Sequence, residues 1–210
     1  MKIEFSQARY LLSSIKFYPG VDHTTLIEEL KKQKWTSWGE SVPMGHENYN
    51  WSRRYRLMRE DITSPLLKQI HDFLQSIDTH EPLLEALYSF NPGFEGMWSL
   101  SKDQMRKWAT LHMEFMLDKP GFKLEPHNDY RRLVGAGMIY FTEHNDPDVA
   151  TTFYEDRQLT NPVVMNTEFG SGWFAANAYE NYHSGINNSN YDRYSVLLGL
   201  TIKTPDEYDR

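Results

Sequence analysis

The spacing of apolar positions changes once along this chain, near residue 108. Before that point they recur at helical spacing. Thr24 or Thr25 can cap a short helix to about Gln33, with Leu26, Ile27 and Leu30 on one side. Ser64-Pro65 is a helix start, serine as N-cap and proline at the first helical position. Leu66, Leu67, Ile70, Phe73, Leu74 and Ile77 then form one apolar stripe. Glu81-Pro82 opens a further short helix carrying Leu83, Leu84 and Leu87, and Asn91-Pro92-Gly93 ends it. Residues 35–63 hold Trp35, Trp38 and Trp51 but little periodicity. They read as a long loop with one short strand near Tyr55. Such a loop is a candidate substrate lid; the alternative is a loop folded over the core with its tryptophans inside.

From Trp108 the pattern is that of short strands: 111–117, 124–130, 135–141, 150–154, 172–177, 182–186 and 194–202. Lys119-Pro120-Gly121, Asn145-Asp146-Pro147 and Asn187-Asn188-Ser189-Asn190 supply turns between several of them. This many strands at this spacing predicts a sandwich or jelly roll. The expected fold class is mixed α/β but mainly β. Residues 1–107 would be a helical and loop support region and 108–204 the β core, together one compact domain. There is no internal repeat and no low-complexity segment.

Composition narrows the setting. The 210 residues include 13 Tyr, 11 Phe and 6 Trp, enough for a sizeable core, and the mean hydropathy is −0.66. No apolar run is long enough for a membrane helix, and the start, Met1-Lys2-Ile3-Glu4-Phe5, lacks the apolar region of a signal peptide. The absence of cysteine excludes disulfides, thiolate metal sites and cysteine nucleophiles. A cytoplasmic, reducing location is the expectation, with no membrane partner. The net charge of −7 argues against a nucleic-acid partner. The clusters Arg53-Arg54-Tyr55-Arg56 and Arg131-Arg132 read as solvated faces, although the second could face a ligand.

The candidate chemistry lies in His127-Asn128-Asp129, with His183, Arg193 and Ser195 further on. Two imidazoles and one carboxylate on one face of a metal leave the opposite face open, the ligand set of non-haem Fe(II) oxygenases. An H-x-D triplet alone is weak, and His144-Asn145-Asp146 is a second one. The first lies in a strand-like stretch, where residues two apart project to one face. The second lies in a turn-like sequence, which does not align its ends that way. His183, taken alone, reads as a hydrogen-bonded core histidine. Arg193 and Ser195, two apart on a predicted strand, would project together and offer a guanidinium fork and a hydroxyl to a carboxylate. His112 and Glu114 share a face with Met116 and are candidates to line the same pocket, or else a polar outer face. Tyr130, Tyr140 and Trp173 are further candidates, against ordinary core packing.

These residues resemble the 2-oxoglutarate/Fe(II)-dependent oxygenase superfamily, and its prolyl-4-hydroxylase-like branch most closely. The resemblance covers about residues 108–203 and rests on the segments 121–130, 137–141, 169–174 and 193–195. It implies a double-stranded β-helix, a jelly roll, with N-terminal helices packed on the outer sheet. It implies His127, Asp129 and His183 as the catalytic metal site for Fe(II), Arg193 and Ser195 on the cosubstrate 2-oxoglutarate, and O2 as co-reactant. The implied reaction hydroxylates a C–H bond and decarboxylates 2-oxoglutarate to succinate. Both imidazoles must bind iron in the neutral form, so affinity is expected to fall in mild acid. This chain departs from the branch at three places: Arg193 stands where prolyl hydroxylases usually have lysine, Asp118 where many have tyrosine, and 149–154 is a weak match. The substrate therefore stays open between a peptide or protein side chain and a small molecule, and the oligomeric state is open. Two other readings remain: a cupin-like metalloenzyme that uses no 2-oxo acid, indifferent to changes at Arg193, and a non-catalytic jelly-roll binding protein.

Overall fold

The computed structural model describes residues 1–9, 11–38, 51–91, 93–129, 133–176 and 181–202. The chain enters with β1 (Lys2–Arg9), β2 (Leu12–Tyr18), α1 (His23–Lys31), β3 (Thr36–Ser37) and β4 (Arg54–Leu57). Helices follow: α2 (Pro65–Gln75), α3 (Ile77–Phe90), α4 (Phe94–Trp98) and α5 (Lys102–Trp108). The remainder is strands: β5 (Ala109–Asp118), β6 (Phe122–His127), β7 (Leu133–Tyr140), β8 (Thr151–Tyr154), β9 (Val163–Val164), β10 (Ser171–Ala176), β11 (Tyr182–Asn187) and β12 (Arg193–Ile202). They form an eight-stranded sheet in the order β1-β2-β10-β7-β12-β5-β4-β3 and a four-stranded sheet in the order β6-β11-β8-β9. All ladders within the two sheets are antiparallel. This is a double-stranded β-helix, mainly β, with helices on its larger sheet, as expected.

The period of two sets the layers. On β12, Val196, Leu198 and Leu200 share one face and join a core with Phe115 of β5 and with Leu67, Ile70, Leu74, Leu83, Leu84 and Leu87 of α2 and α3. The other face of the larger sheet turns inward. There Met138, Tyr140, Trp173 and Ala175 pack with Phe153 of the smaller sheet and with Met165. Arg193, Ser195 and Leu197 alternate onto this inner side, opposite Asp118, Met116 and Glu114 of β5.

The caps mostly match the sequence. Ser64 accepts from the amide of Leu67, and Pro65 opens α2. At α1 the cap is two or three positions earlier than expected: Asp22, not Thr24 or Thr25, accepts from the amide of Thr25. Two helix boundaries differ. α3 starts at Ile77, capped by Ser76, and runs through Pro82. Thr79, Leu83, Leu84 and Leu87 are buried along it, and this packing tolerates the missing N–H of one proline in an early turn. Ile77 is not part of the α2 stripe; it is exposed at the α2–α3 junction. The first hundred residues are also less helical than expected, because β1 to β4 all belong to the larger sheet.

Candidate metal centre and adjoining cavity

His127 ends β6 and faces His183 of β11 directly across the ladder. Directly opposed side chains on one face come within roughly 5 Å at Cβ, and the two imidazole centroids are 4.5 Å apart. Asp129 lies two residues on, beyond the last paired position of β6. The strand period therefore does not place it beside His127, as the sequence suggested; the chain does so after leaving the strand. Asp129 Oδ1 is 3.9 Å from His127 Nε2 and 3.8 Å from His183 Nε2. One ligand atom from each residue lies within 4.8 Å of the others. Among the described residues this is the one such group of three.

Each ring is oriented from behind. His127 Nδ1 lies 2.8 Å from the carbonyl oxygen of Glu125, and His183 Nδ1 lies 3.1 Å from that of Asn181. A carbonyl can only accept, so Nδ1 carries the proton and Nε2 presents a lone pair. Phe153 and Trp173 pack on the His183 ring at 5.1 and 5.6 Å between centroids. Burial holds the His127 pKa below its ordinary value, and the charge of His183 adds to this; the Glu125 carbonyl and Asp129 oppose it, while Arg54 lowers it further. Two neutral imidazoles and a carboxylate, turned toward a common point, fit a divalent first-row metal.

The three residues open on a cavity of about 140 Å³ between the sheets. Its other walls include Arg54, Met138, Thr151, Trp173, Arg193 and Leu197. The volume is below the roughly 300–1,000 Å³ typical of pockets for drug-sized ligands and suits a compact molecule. A larger cleft of about 480 Å³ lies elsewhere, between α1 and residues 141–146. It holds none of these three residues, so volume alone is a poor guide here. His144 and Asp146 of the second triplet line that cleft: His144 is exposed, and Asp146 accepts from the amide of Asp148 and from the hydroxyl of Tyr191. Its histidine and carboxylate do not converge with any third ligand among the described residues.

Arg193 reaches the inner face as its strand position requires, and its side chain is fully buried. Nε donates to Asp118 Oδ2 at 3.1 Å, and Nη2 donates to the same oxygen. Nη1 donates to the carbonyls of Val149 and Ile186 at 2.6 and 3.0 Å. Arg54 of β4, also buried, holds the same carboxylate, Nε to Oδ1 at 2.7 Å and Nη2 to Oδ2 at 3.0 Å. Desolvation would raise the Asp118 pKa, but the two guanidinium charges and their hydrogen bonds outweigh it and hold the carboxyl below its ordinary range. Ser195 is buried between Arg193 and Leu197 on the same strand, and its Oγ has no hydrogen-bond partner among the described residues.

The remaining candidates divide. Trp173 lines the cavity, and its Nε1 donates to the Tyr140 hydroxyl, which itself donates to Thr151. His112 is exposed and pairs with Thr201, away from the cavity. Glu114 is half-buried, 3.5 Å from Arg56, and likewise does not line it. Tyr130, Arg131, Arg132 and residues 39–50 of the suggested lid lie outside the described residues. Sequence reasoning missed Arg54 and the role of Asp118. A solvated face is the wrong reading for Arg54, which is 5% exposed. The available signal was alternation: Arg54 and Arg56 are two apart on a strand, as are Glu114, Met116 and Asp118.

No family model and no curated protein sequence matches this chain. Solved structures do. A Pseudomonas putida prolyl-4-hydroxylase superposes with a TM-score of 0.58 over 94% of this chain and 95% of its own, at 12% identity. HygX from Streptomyces hygroscopicus, with nickel and 2-oxoglutarate bound, gives 0.58 over 92% and 84%, at 9% identity. A prolyl hydroxylase from Trichoplax adhaerens, in complex with a hypoxia inducible factor oxygen degradation domain peptide fragment, gives 0.57 over 91% and 84%, at 10% identity. At such identities the likeness establishes a shared fold spanning nearly the whole chain.

Proposed function

We propose that this protein is an Fe(II)- and 2-oxoglutarate-dependent oxygenase. The observation that carries the reading is the convergence of His127, Asp129 and His183, with both Nε2 atoms and Oδ1 turned to one point at the mouth of a buried cavity. The donor set fits ferrous iron, and a set confined to one side leaves coordination positions for a bidentate 2-oxo acid and O2. When bound, these supply the chemistry: O2 places one oxygen atom in succinate and one in the hydroxylated product, while CO2 leaves and 2-oxoglutarate and the C–H bond give two electrons each.

The chain's own groups bind and orient. His127 and His183 hold the metal through Nε2, with their Nδ1 protons fixed on the Glu125 and Asn181 carbonyls. Asp129 supplies the one anionic ligand. Arg193 and Ser195 stand on the cavity side of β12, and we assign the distal carboxylate of 2-oxoglutarate to that end; the unpartnered Ser195 hydroxyl is a donor suited to it. Phe153 and Trp173 exclude water around His183.

For the second substrate we propose a compact one, a small molecule or a single side chain of a peptide or protein. Both kinds occur among proteins of this fold: HygX has been seen with hygromycin B bound, and the Trichoplax prolyl hydroxylase with a peptide. The test is aerobic turnover with Fe(II), 2-oxoglutarate and pooled metabolites or peptides, following succinate by NMR. Succinate formation that requires His127, Asp129 and His183 supports the proposal. Metal-dependent consumption of a substrate with no consumption of 2-oxoglutarate would instead favour a cupin-like enzyme.

A further inference from the structure

Past the cavity, the inner face of the larger sheet runs out to solvent along β5. Asp118 and Met116 are buried, the Glu114 side chain is 30% exposed, and His112 is exposed. This gradient marks the mouth of the site. Glu114 stands opposite Leu197 of β12, and Leu197 stands opposite Met138 of β7. Leu197 and Met138 both line the cavity, so Glu114 is one strand spacing from it, about 5 Å. On the other side lies β4, where Arg56 stands opposite Met116. Arg56 Nη1 is 3.5 Å from Glu114 Oε1, and its guanidinium lies 5.4 Å from the centre of the Trp38 ring.

This ion pair is only half made. Its 3.5 Å separation exceeds the roughly 2.7–2.9 Å of a charge-assisted hydrogen bond. Arg54 and Asp118, the next pair along the same two strands, meet at 2.7 Å. Glu114 Oε2 and Arg56 Nε are both buried, and neither has a hydrogen-bond partner among the described residues. Unmet buried polar atoms are costly, more so on charged groups. Burial pushes the Glu114 carboxyl up, and Arg56 opposes this only in part. The two side chains are 30% and 22% exposed, so a ligand reaches them from the mouth.

One orphaned atom accepts and the other donates. A lone amine leaves Arg56 Nε unmet. A lone carboxylate leaves Glu114 Oε2 unmet and sits against its charge. A carboxamide offers both kinds of group but no charge to either partner. An α-amino acid carries an ammonium beside a carboxylate, each opposite in sign to its partner, and adds no net charge.

Resting on the oxygenase reading above, we infer that Glu114 and Arg56 recognise the second substrate, and that it is a free α-amino acid. Its ammonium donates to Glu114, and its carboxylate accepts from Arg56, whose guanidinium is backed by Trp38. The substrate's own side chain then extends past Leu197 toward His127, Asp129 and His183.

The test is calorimetry on the full chain, metal-free and loaded with Mn(II) and 2-oxoglutarate. The protein L-amino acids are titrated in turn, followed by the same compounds acetylated at nitrogen and amidated at the carboxyl, which mimic a residue within a peptide. At least one free amino acid is expected to bind the loaded parent more tightly than its capped form does. Glu114→Gln keeps the shape and loses the charge; Arg56→Lys keeps the charge and loses Nε. Each is expected to weaken the free amino acid roughly 10- to 100-fold, the value of a hydrogen bond between charged groups, with capped-form and 2-oxoglutarate affinities constant. A merely structural role for the pair would weaken free and capped forms alike or neither, and that result overturns the inference. So does a parent that binds 2-oxoglutarate but no free amino acid, and there the cosubstrate reading stands. A parent that takes Mn(II) and selects free amino acids but never binds 2-oxoglutarate keeps the pair and overturns the cosubstrate reading.

Discussion

Arg193 and Asp118 face each other across the β5–β12 ladder, and both side chains are fully excluded from solvent. Asp118 also accepts from Arg54, so one carboxylate holds two buried cations in place. Removing it would strand both. Asp118→Ala should therefore destabilise the protein by about 3–5 kcal/mol, the range for breaking a buried ion pair from one side. Urea denaturation of the metal-free protein measures this; a loss below about 1 kcal/mol, as for a surface pair, would contradict it.

The metal centre should be separable from the fold. His127 and Asp129 are only partly buried, and neither belongs to the hydrophobic core. His127→Ala and Asp129→Ala should keep a melting temperature close to that of the metal-free parent. Each should lose more metal affinity than the roughly 10- to 100-fold that loss of an outer hydrogen-bond partner costs. Competition with a chelating dye reads the affinity, and calorimetric melting reads the fold.

Much of this site could be read in the sequence, and the reasons differ by residue. Arg193 and Ser195 followed from a strand with clear alternation, and the fold places both on its inner face. His127 was picked out by its H-x-D triplet in a strand-like stretch and His183 by its place in the larger pattern, but their pairing across β6 and β11 depends on register, which one sequence does not specify. Asp129 was named through a strand geometry that it does not adopt, and it meets the two histidines only after the chain has left β6. Arg54 was hidden because its neighbours Arg53 and Arg56 make a cluster that reads as surface, and only the pairing of β4 with β5 buries it. β1 was hidden for a simpler reason: it is an edge strand on which Ile3 is the one buried residue. β2 did carry a signal in the alternation of Ile15 and Phe17.

Strand packing around β10 leaves no room for a side chain at Gly172. A Cβ there would run into the carbonyl oxygen of Met138 on β7, and backbone cannot swing aside as a flexible side chain does. Met138 lines the cavity, so the strain would reach the site. Gly172→Ala should cost at least the roughly 1–3 kcal/mol of overpacking. Gly20→Ala is the control: nothing lies within 4 Å of a Cβ there, although its positive φ adds some strain. A Gly172 variant as stable as the parent in urea would show that β7 and β10 can separate freely.

Stability should fall on the acid side in two stages. His71 of α2 is 3% exposed, and burial holds its pKa below the ordinary value, with Asp72 opposing. His80 and, without metal, His127 are lowered in the same direction by burial. The folded state thus favours the neutral rings. As pH drops below about 6.5 the unfolded chain takes up protons first, and stability is lost. The Asp118 pKa is depressed in the fold, so its contribution is present above about 3.9 and is lost as pH falls through the folded value. Urea midpoints of the metal-free protein at pH 8, 6 and 5 should decline stepwise, and His71→Gln should flatten the decline. Identical slopes for parent and variant would remove His71 from the account.

The central claim is that His127, Asp129 and His183 hold ferrous iron and that the adjoining cavity holds 2-oxoglutarate on it. Anaerobic titration of the metal-free protein with Fe(II) and then 2-oxoglutarate measures both, through the visible metal-to-ligand charge-transfer band of the chelate. The account predicts a saturable band in the parent, a weaker one in Arg193→Ala, and none in His183→Ala. Iron binding without any band at saturating 2-oxoglutarate would contradict it.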